Sequence, residues 1–183
     1  MSLKERFDAA ICLYDVVGSF VEPTQNRAIL KNLAEHLRPG GLALISVMNM
    51  DLTVKNAKHW FVLEEEPDRL LTLKPSMTME NTGDVFNSDY YMIDRQTFIV
   101  YRKEQFKSGS ELPEEFLVRD RRYYQAEIEN ECAAAGLDVV WSRFVRAGKW
   151  SDPLPAESGS AKEILLLCQK PVDPQQQMGL FGI

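Results

Sequence analysis

Tyr14 and Asp15 stand directly after the short apolar run Ala9-Ala10-Ile11-Cys12-Leu13. If that run is a strand of an open α/β sheet, its carboxyl end is where a ligand binds, so position more than residue type marks Leu13, Tyr14 and Asp15 as crevice-lining candidates. Asn49, after the second apolar run Leu42 to Met48, falls on the same edge. Arg119-Asp120-Arg121-Arg122-Tyr123-Tyr124 is the densest polar and aromatic cluster. An arginine such as Arg121, with Tyr123 beside it, would clamp the carboxylate or phosphate of a substrate through two parallel hydrogen bonds. Surface ion pairing with Glu114, Glu115 and Glu127 explains the same charges and is the preferred reading. Tyr90, Tyr91 and Tyr101 fit a substrate pocket and cross-strand aromatic packing equally well. His36 and His59 are the only histidines, and neither has a second histidine or a cysteine at ligand spacing, so no metal site is expected. The absence of G-x-S-x-G and P-loop motifs removes the commonest hydrolase and NTPase readings.

The elements that would position these residues follow from apolar periodicity. The first run is short and apolar, as a strand buried on both faces requires. Pro23 suits a first helical turn, and Leu30, Leu33, Ala34 and Leu37 recur at i, i+3, i+4 and i+7. Arg38 precedes a proline and is pushed out of helical geometry, and Gly40-Gly41 supply a turn into the strand Leu42 to Met48. From Met50 to Arg122 the pattern breaks into strand-like pieces at Trp60 to Leu63, Leu70 to Leu73, Val85 to Ile93 and Thr97 to Phe106. They are expected to form an antiparallel meander with a turn at Asp94-Arg95-Gln96. Tyr124, Ile128, Cys132 and Ala135 predict a second helix capped by Gly136. Strands at Leu137 to Val145 and Ile164 to Cys168 follow, joined by a loop from Ala147 to Ser160.

With 183 residues, 45% of them apolar, the chain suffices for one ordinary domain with a core. A formal charge of -6 argues against direct nucleic-acid binding, which rests on clustered Lys and Arg. Three separated cysteines in apolar contexts suit buried thiols in a reducing, cytoplasmic setting. No apolar run approaches the roughly 20 residues of a membrane span, so no membrane partner is expected.

Phe7-Asp8 leading an apolar strand, then a helix, Leu37-Arg38-Pro39-Gly40-Gly41 and a second strand, resembles class I S-adenosylmethionine-dependent methyltransferases, in which these are the fourth and fifth strands. Gly136 to Val145 and Lys162 to Lys170 match the sixth and seventh, so the resemblance runs to Lys170. It implies an α/β fold: a partial Rossmann-like methyltransferase sheet, strands four to seven, with an inserted antiparallel β subdomain. The implied boundaries are 1-170 for the methyltransferase-like domain, about 51-121 for the insertion and 171-183 for a tail. The implied function is methyl transfer from S-adenosyl-L-methionine to a small-molecule acceptor. Leu13, Tyr14 and Asp15 would lie near the cofactor's sulfonium, and Asn49, Tyr90, Arg121 and Tyr123 are the substrate candidates. No E/D-x-G-x-G-x-G loop precedes Phe7. The chain is therefore expected to be the carboxyl-terminal portion of such an enzyme and to bind the cofactor weakly or not at all by itself. Ala9 to Leu13 would then be an exposed apolar edge, favouring self-association or dependence on a missing N-terminal segment. The rival readings are a non-catalytic interaction module assembling through that edge and the tail, and a half-Rossmann fragment of a nicotinamide enzyme. The tail holds Gln177, Met178, Leu180 and Phe181, similar to the peptides by which bacterial proteins dock on the replication sliding clamp.

Overall fold

A computed structural model of the protein describes residues 5–63, 65–74, 86–106 and 114–172. Along the chain run β1 (Phe7–Cys12), α1 (Pro23–His36), β2 (Leu37–Met48), α2 (Met50–Asn56), β3 (Trp60–Phe61), a 3-10 helix (Glu66–Thr72), β4 (Tyr91–Asp94) and β5 (Val100–Phe106). They are followed by β6 (Glu114–Asp120), α3 (Gln125–Ala134), β7 (Asp138–Arg146), β8 (Lys149–Leu154) and β9 (Glu163–Gln169). Two compact units result: residues 1–18, 22–49 and 123–183 form one, and residues 19–21 and 50–122 the other. The tail residues Gln177, Met178, Leu180 and Phe181 lie outside the described residues, as does Val85.

The first unit is an α/β sheet of order β1-β2-β9-β7-β8. β1 and β2 are parallel, joined through α1, while β9 runs antiparallel to β2 and β7 antiparallel to β9. One apolar cluster joins Leu30 and Ala34 of α1 and Ile128 and Cys132 of α3 to Ala43, Ile45 and Val47 of β2 and Ile164, Leu166 and Cys168 of β9. Each large side chain so buried contributes roughly 1.5–3 kcal/mol relative to exposure. The two-residue period turns the intervening residues, Leu44, Ser46, Leu165 and Glu163 among them, to the other face. All three cysteines are free and buried. The Cys132 thiol is pushed up by its hydrogen bond with Cys168 and by burial, so it stays protonated.

Pro23 opens α1 as the sequence predicts. At the other end Lys170 Nζ donates to the carbonyls of Ala34 and Leu37 at 2.7 and 2.9 Å, supplying a cation where the helix leaves carbonyls unpaired. Leu37, expected on the helical face, and Arg38 to Gly41, expected as the break and turn that follow it, already belong to β2. There the β1–β2 register jumps from Phe7↔Leu37 to Ala9↔Leu42, and the extra residues of β2 are accommodated with Gly40 at φ +79. α3 ends as expected at Gly136, φ +84: Gly136 N–H donates to the Ala133 carbonyl and Leu137 N–H to that of Cys132, the Schellman pattern. The stretch 149–154, expected as loop, is instead the edge strand β8, where Pro153 needs no ladder donor. β1 is the opposite edge, with Ile11 72% exposed.

In the second unit the order is β3-β4-β5-β6, with β4, β5 and β6 forming the antiparallel meander and β3 parallel to β4. Leu70 to Leu73, expected as a strand, lies in and just after the 3-10 helix, which Pro67 opens. Among the described residues of the expected Val85 to Ile93 piece, strand structure is confined to the end, from Tyr91, and α2 and β6 were not anticipated. The turn after Asp94 forms because that side chain accepts from Gln96 N–H (2.8 Å) and Thr97 Oγ1 (2.6 Å).

Within the charged cluster at Arg119 to Tyr124, Asp120 and Arg122 leave the solvated face expected of them, while Arg119 stays exposed. Arg122 is buried, donating to Asp120 Oδ1 (2.9 Å) and Thr53 Oγ1 (2.9 Å), with its guanidinium over the rings of Phe86 and Tyr91. Arg102 donates to the other oxygen of Asp120 and to Glu104. Asp120 is thus the shared counter-ion of two buried guanidinium groups. Burial pushes the Tyr91 phenol up to about 12, with Arg122 opposing, so it donates to the Thr53 carbonyl as a neutral hydroxyl.

Candidate functional site

The carboxyl ends of β1 and β2 and the start of β9 meet on one edge of the first unit, because β9 runs antiparallel to β2 with Glu163 opposite Met48. Beyond Cys12, Leu13 is half-buried and Tyr14 adopts φ +66, a left-handed conformation unusual for a bulky residue. Such backbone persists where its surroundings hold it, and such residues cluster at ligand sites. The Tyr14 N–H donates to Ser46 Oγ at 2.6 Å. Tyr14 as a whole is 53% exposed, and its ring meets that of Trp150 in a T-shaped arrangement with centroids 5.5 Å apart.

Glu163 is the first residue of β9 and only 3% exposed. Its Oε2 accepts from Trp150 Nε1–H at 2.8 Å, and the Ser46 hydroxyl also donates to its carboxylate. Burial pushes the Glu163 carboxyl above its ordinary value; the bonds from Trp150 and Ser46 pull the other way, and the charge of Asp15 adds to the rise. The arrangement is a ring of contacts: Tyr14 backbone, Ser46, Glu163, Trp150 and back to the Tyr14 aromatic face. Asp15 is half-buried beside it.

Asn49 and Tyr123 brace this edge from inside. Asn49 is fully buried, with its Nδ2 donating to the Ala161 carbonyl (2.8 Å) and its N–H to that of Lys162 (3.0 Å). Tyr123 bridges to Asn49, donates its N–H to the Met48 carbonyl at 3.0 Å and packs in the core. The structure therefore brings together Leu13, Tyr14, Asp15, Asn49 and Tyr123. Tyr90 and Arg121 belong to the second unit, where the Tyr90 hydroxyl donates to the Lys74 carbonyl at 2.6 Å. Next to the start of β9, a cavity of about 350 Å³ is lined by Arg146, Ala147, Ser160 and Lys162. Among the described residues no group of His, Cys, Asp and Glu is placed to hold a metal ion, and no helix is long and apolar enough to cross a membrane.

From sequence, Lys162-Glu163 and Arg146 to Trp150 read only as stretches that could reach the rim of the crevice, with a structural role preferred, and Ser46 was not singled out. One signal was present: Ser46 interrupts an otherwise apolar buried strand, and a buried hydroxyl needs partners.

Among solved structures, the chain is similar to the CcbJ methyltransferase from Streptomyces caelestis, with a TM-score of 0.60 and 16% identity over 93% of this chain and 64% of that one. The chain has the fold of the class I S-adenosylmethionine-dependent methyltransferases. A S-adenosylmethionine-dependent methyltransferase from Clostridium acetobutylicum ATCC 824 matches this methyltransferase fold with a TM-score of 0.55 and 11% identity, over 93% of this chain and 61% of that one. The glycopeptide N-methyltransferase MtfA, complexed with S-adenosyl-L-methionine, does so at 0.51 and 17%, over 93% and 57%. The chain thus spans 57–64% of the length of these methyltransferases. No protein-family model and no curated protein matches the sequence.

Proposed function

We propose that the chain serves methyl transfer from S-adenosyl-L-methionine to a small-molecule acceptor, with Leu13, Tyr14 and Asp15 against the cofactor. The observation that carries this reading is Tyr14, held in left-handed backbone by Ser46 with its ring presented at a strand carboxyl end of a methyltransferase fold. The site's chemistry fits the group: the cofactor carries a sulfonium and an ammonium, and the edge offers the carboxyl group of Asp15 beside two aromatic rings. When bound, the cofactor supplies a methyl group on a good leaving group. The protein's part is then to orient donor and acceptor in line and keep both in place. Because the sequence has no E/D-x-G-x-G-x-G loop, the grip of these residues alone is weak.

Weak binding is read by amide NMR spectra of the chain titrated with S-adenosylhomocysteine. The expected result is saturable shifts centred on Leu13, Tyr14 and Asp15, with affinity reduced several-fold in Tyr14→Ala. A folded chain whose spectrum does not change, or changes only elsewhere, would overturn the reading and favour a non-catalytic module.

A second proposal, self-association through β1, is favoured by one observation. β1 is an apolar edge strand with Ile11 exposed, beside a cavity of about 570 Å³ whose lining includes Phe7, Ile11, Val16, Ile29 and Leu33. Light scattering should then give a mass that rises with concentration and falls to the monomer's in Ile11→Lys. A monomer at every concentration sinks the idea.

A further inference from the structure

Glu163 is a buried carboxyl that methyl transfer itself does not call for. It lies at the centre of the contacts that hold the most unusual backbone of the site. We propose that Glu163 is a positioning residue whose ionised form, acting through Ser46 and Trp150, fixes Tyr14 in its left-handed conformation. The role assigned to Tyr14 rests on the function proposed above; the coupling between Glu163 and Tyr14 does not.

The argument is one of hydrogen-bond direction. Ionised Glu163 is an acceptor only, so the Ser46 hydroxyl gives its proton to the carboxylate and turns a lone pair to the Tyr14 N–H, 2.6 Å away. A hydroxyl that donates to a charged acceptor is itself polarised into a better acceptor, which strengthens the bond to Tyr14. The carboxylate Oε2 also takes Trp150 Nε1–H at 2.8 Å, holding the indole whose ring meets Tyr14. Glu163 therefore acts on Tyr14 twice, on its backbone through Ser46 and on its ring through Trp150. Protonation makes the carboxyl a donor toward Ser46, reverses that bond and removes the polarisation. The hydrogen bond to Ser46 that restrains the Tyr14 conformation, strained by its positive φ, is then weakened.

The surrounding groups bear on the same proton. From the loop after β1, the Asp15 carboxylate favours the protonated form, and burial does so more strongly. β2 contributes the neutral Ser46 and β8 the neutral indole of Trp150. β7 contributes Arg143, whose guanidinium donates to the Trp150 carbonyl at 3.3 Å. Lys162, next in the chain, lines the neighbouring cavity with Arg146. The positioning is therefore switched off as pH falls through a midpoint above the carboxyl's ordinary 4.5.

Amide and indole NMR signals of the full chain, followed against pH without any ligand, test this. The expected result is that Tyr14 N–H and Trp150 Nε1–H shift together with one midpoint, and that neither shifts in Glu163→Gln. In Ser46→Ala, Tyr14 should stop responding while Trp150 continues. A Tyr14 signal that ignores the Trp150 midpoint overturns the relay, and titration that persists in Glu163→Gln assigns it to Asp15 instead. In the second arm, S-adenosylhomocysteine affinity should fall with the same midpoint in the native chain and become flat in Glu163→Gln. Absence of any binding would overturn the proposed function and leave the ligand-free test of the relay intact.

Discussion

At the scale of single residues, the site sets polar groups where burial disfavours charge, and Glu163 shows the consequence. Its pKa is raised in the folded chain above the 4.5 of an ordinary carboxyl, first by burial. Ionisation therefore favours the unfolded state: the contribution of this group is fully present below the unfolded value and is lost as pH rises through the folded one. Urea midpoints should consequently fall for the native chain relative to Glu163→Gln on going from acid to neutral pH. A difference independent of pH would show that Glu163 is not raised. Tyr14 and Asp15 were legible because their place after an apolar run implies a strand end. Ser46 was not, and Glu163 was legible only as a residue near the rim, since a serine in a strand and a glutamate before one are ordinary until the ladder sets them side by side.

At the scale of elements, two glycines are required for different reasons. Gly136 is at φ +84 with open space where a side chain would point. Gly136→Ala should cost roughly 1–2 kcal/mol through backbone strain alone, lowering the stability of the first unit without altering β1–β2 pairing. At Gly41 an added methyl would lie 2.9 Å from the Arg38 carbonyl and 3.2 Å from those of Phe7 and Asp8, all backbone atoms of the joint between β1 and β2. Gly41→Ala should cost roughly 1–3 kcal/mol by overpacking, and hydrogen exchange should show the loss first at the β1 amides. Equal loss of protection throughout the unit would refute that localisation. α1 and α3 were readable from apolar spacing, with Pro23 and Gly136 marking ends the physics of capping requires. β8 was hidden by Pro153 and its charges and β6 by its charges, which an edge strand tolerates and a buried one does not.

At the scale of the molecule, the two units rest on different chemistry: the first has a large apolar cluster, the second smaller ones and a buried ionic network. Asp120 is 2% exposed and serves both Arg102 and Arg122. Asp120→Ala would leave two buried guanidinium groups without their shared carboxylate, at about 3–5 kcal/mol. Exchange protection of β4 and β5 should collapse while that of β2 and β9 is retained; collapse of both together would show that the units do not unfold separately. By itself the sequence determined the succession β1, α1, β2, α3, β7 and β9, the parallel β1-α1-β2 unit and the edge on which Tyr14, Asp15 and Asn49 fall, because periodicity, proline and glycine act over a few neighbouring residues. Only the tertiary structure decided that Arg122 turns inward to Asp120 and that Glu163 is joined to Tyr14 through Ser46 and Trp150. Those partners come from separate strands, and it is pairing register and burial that decide which of many similar polar residues meet.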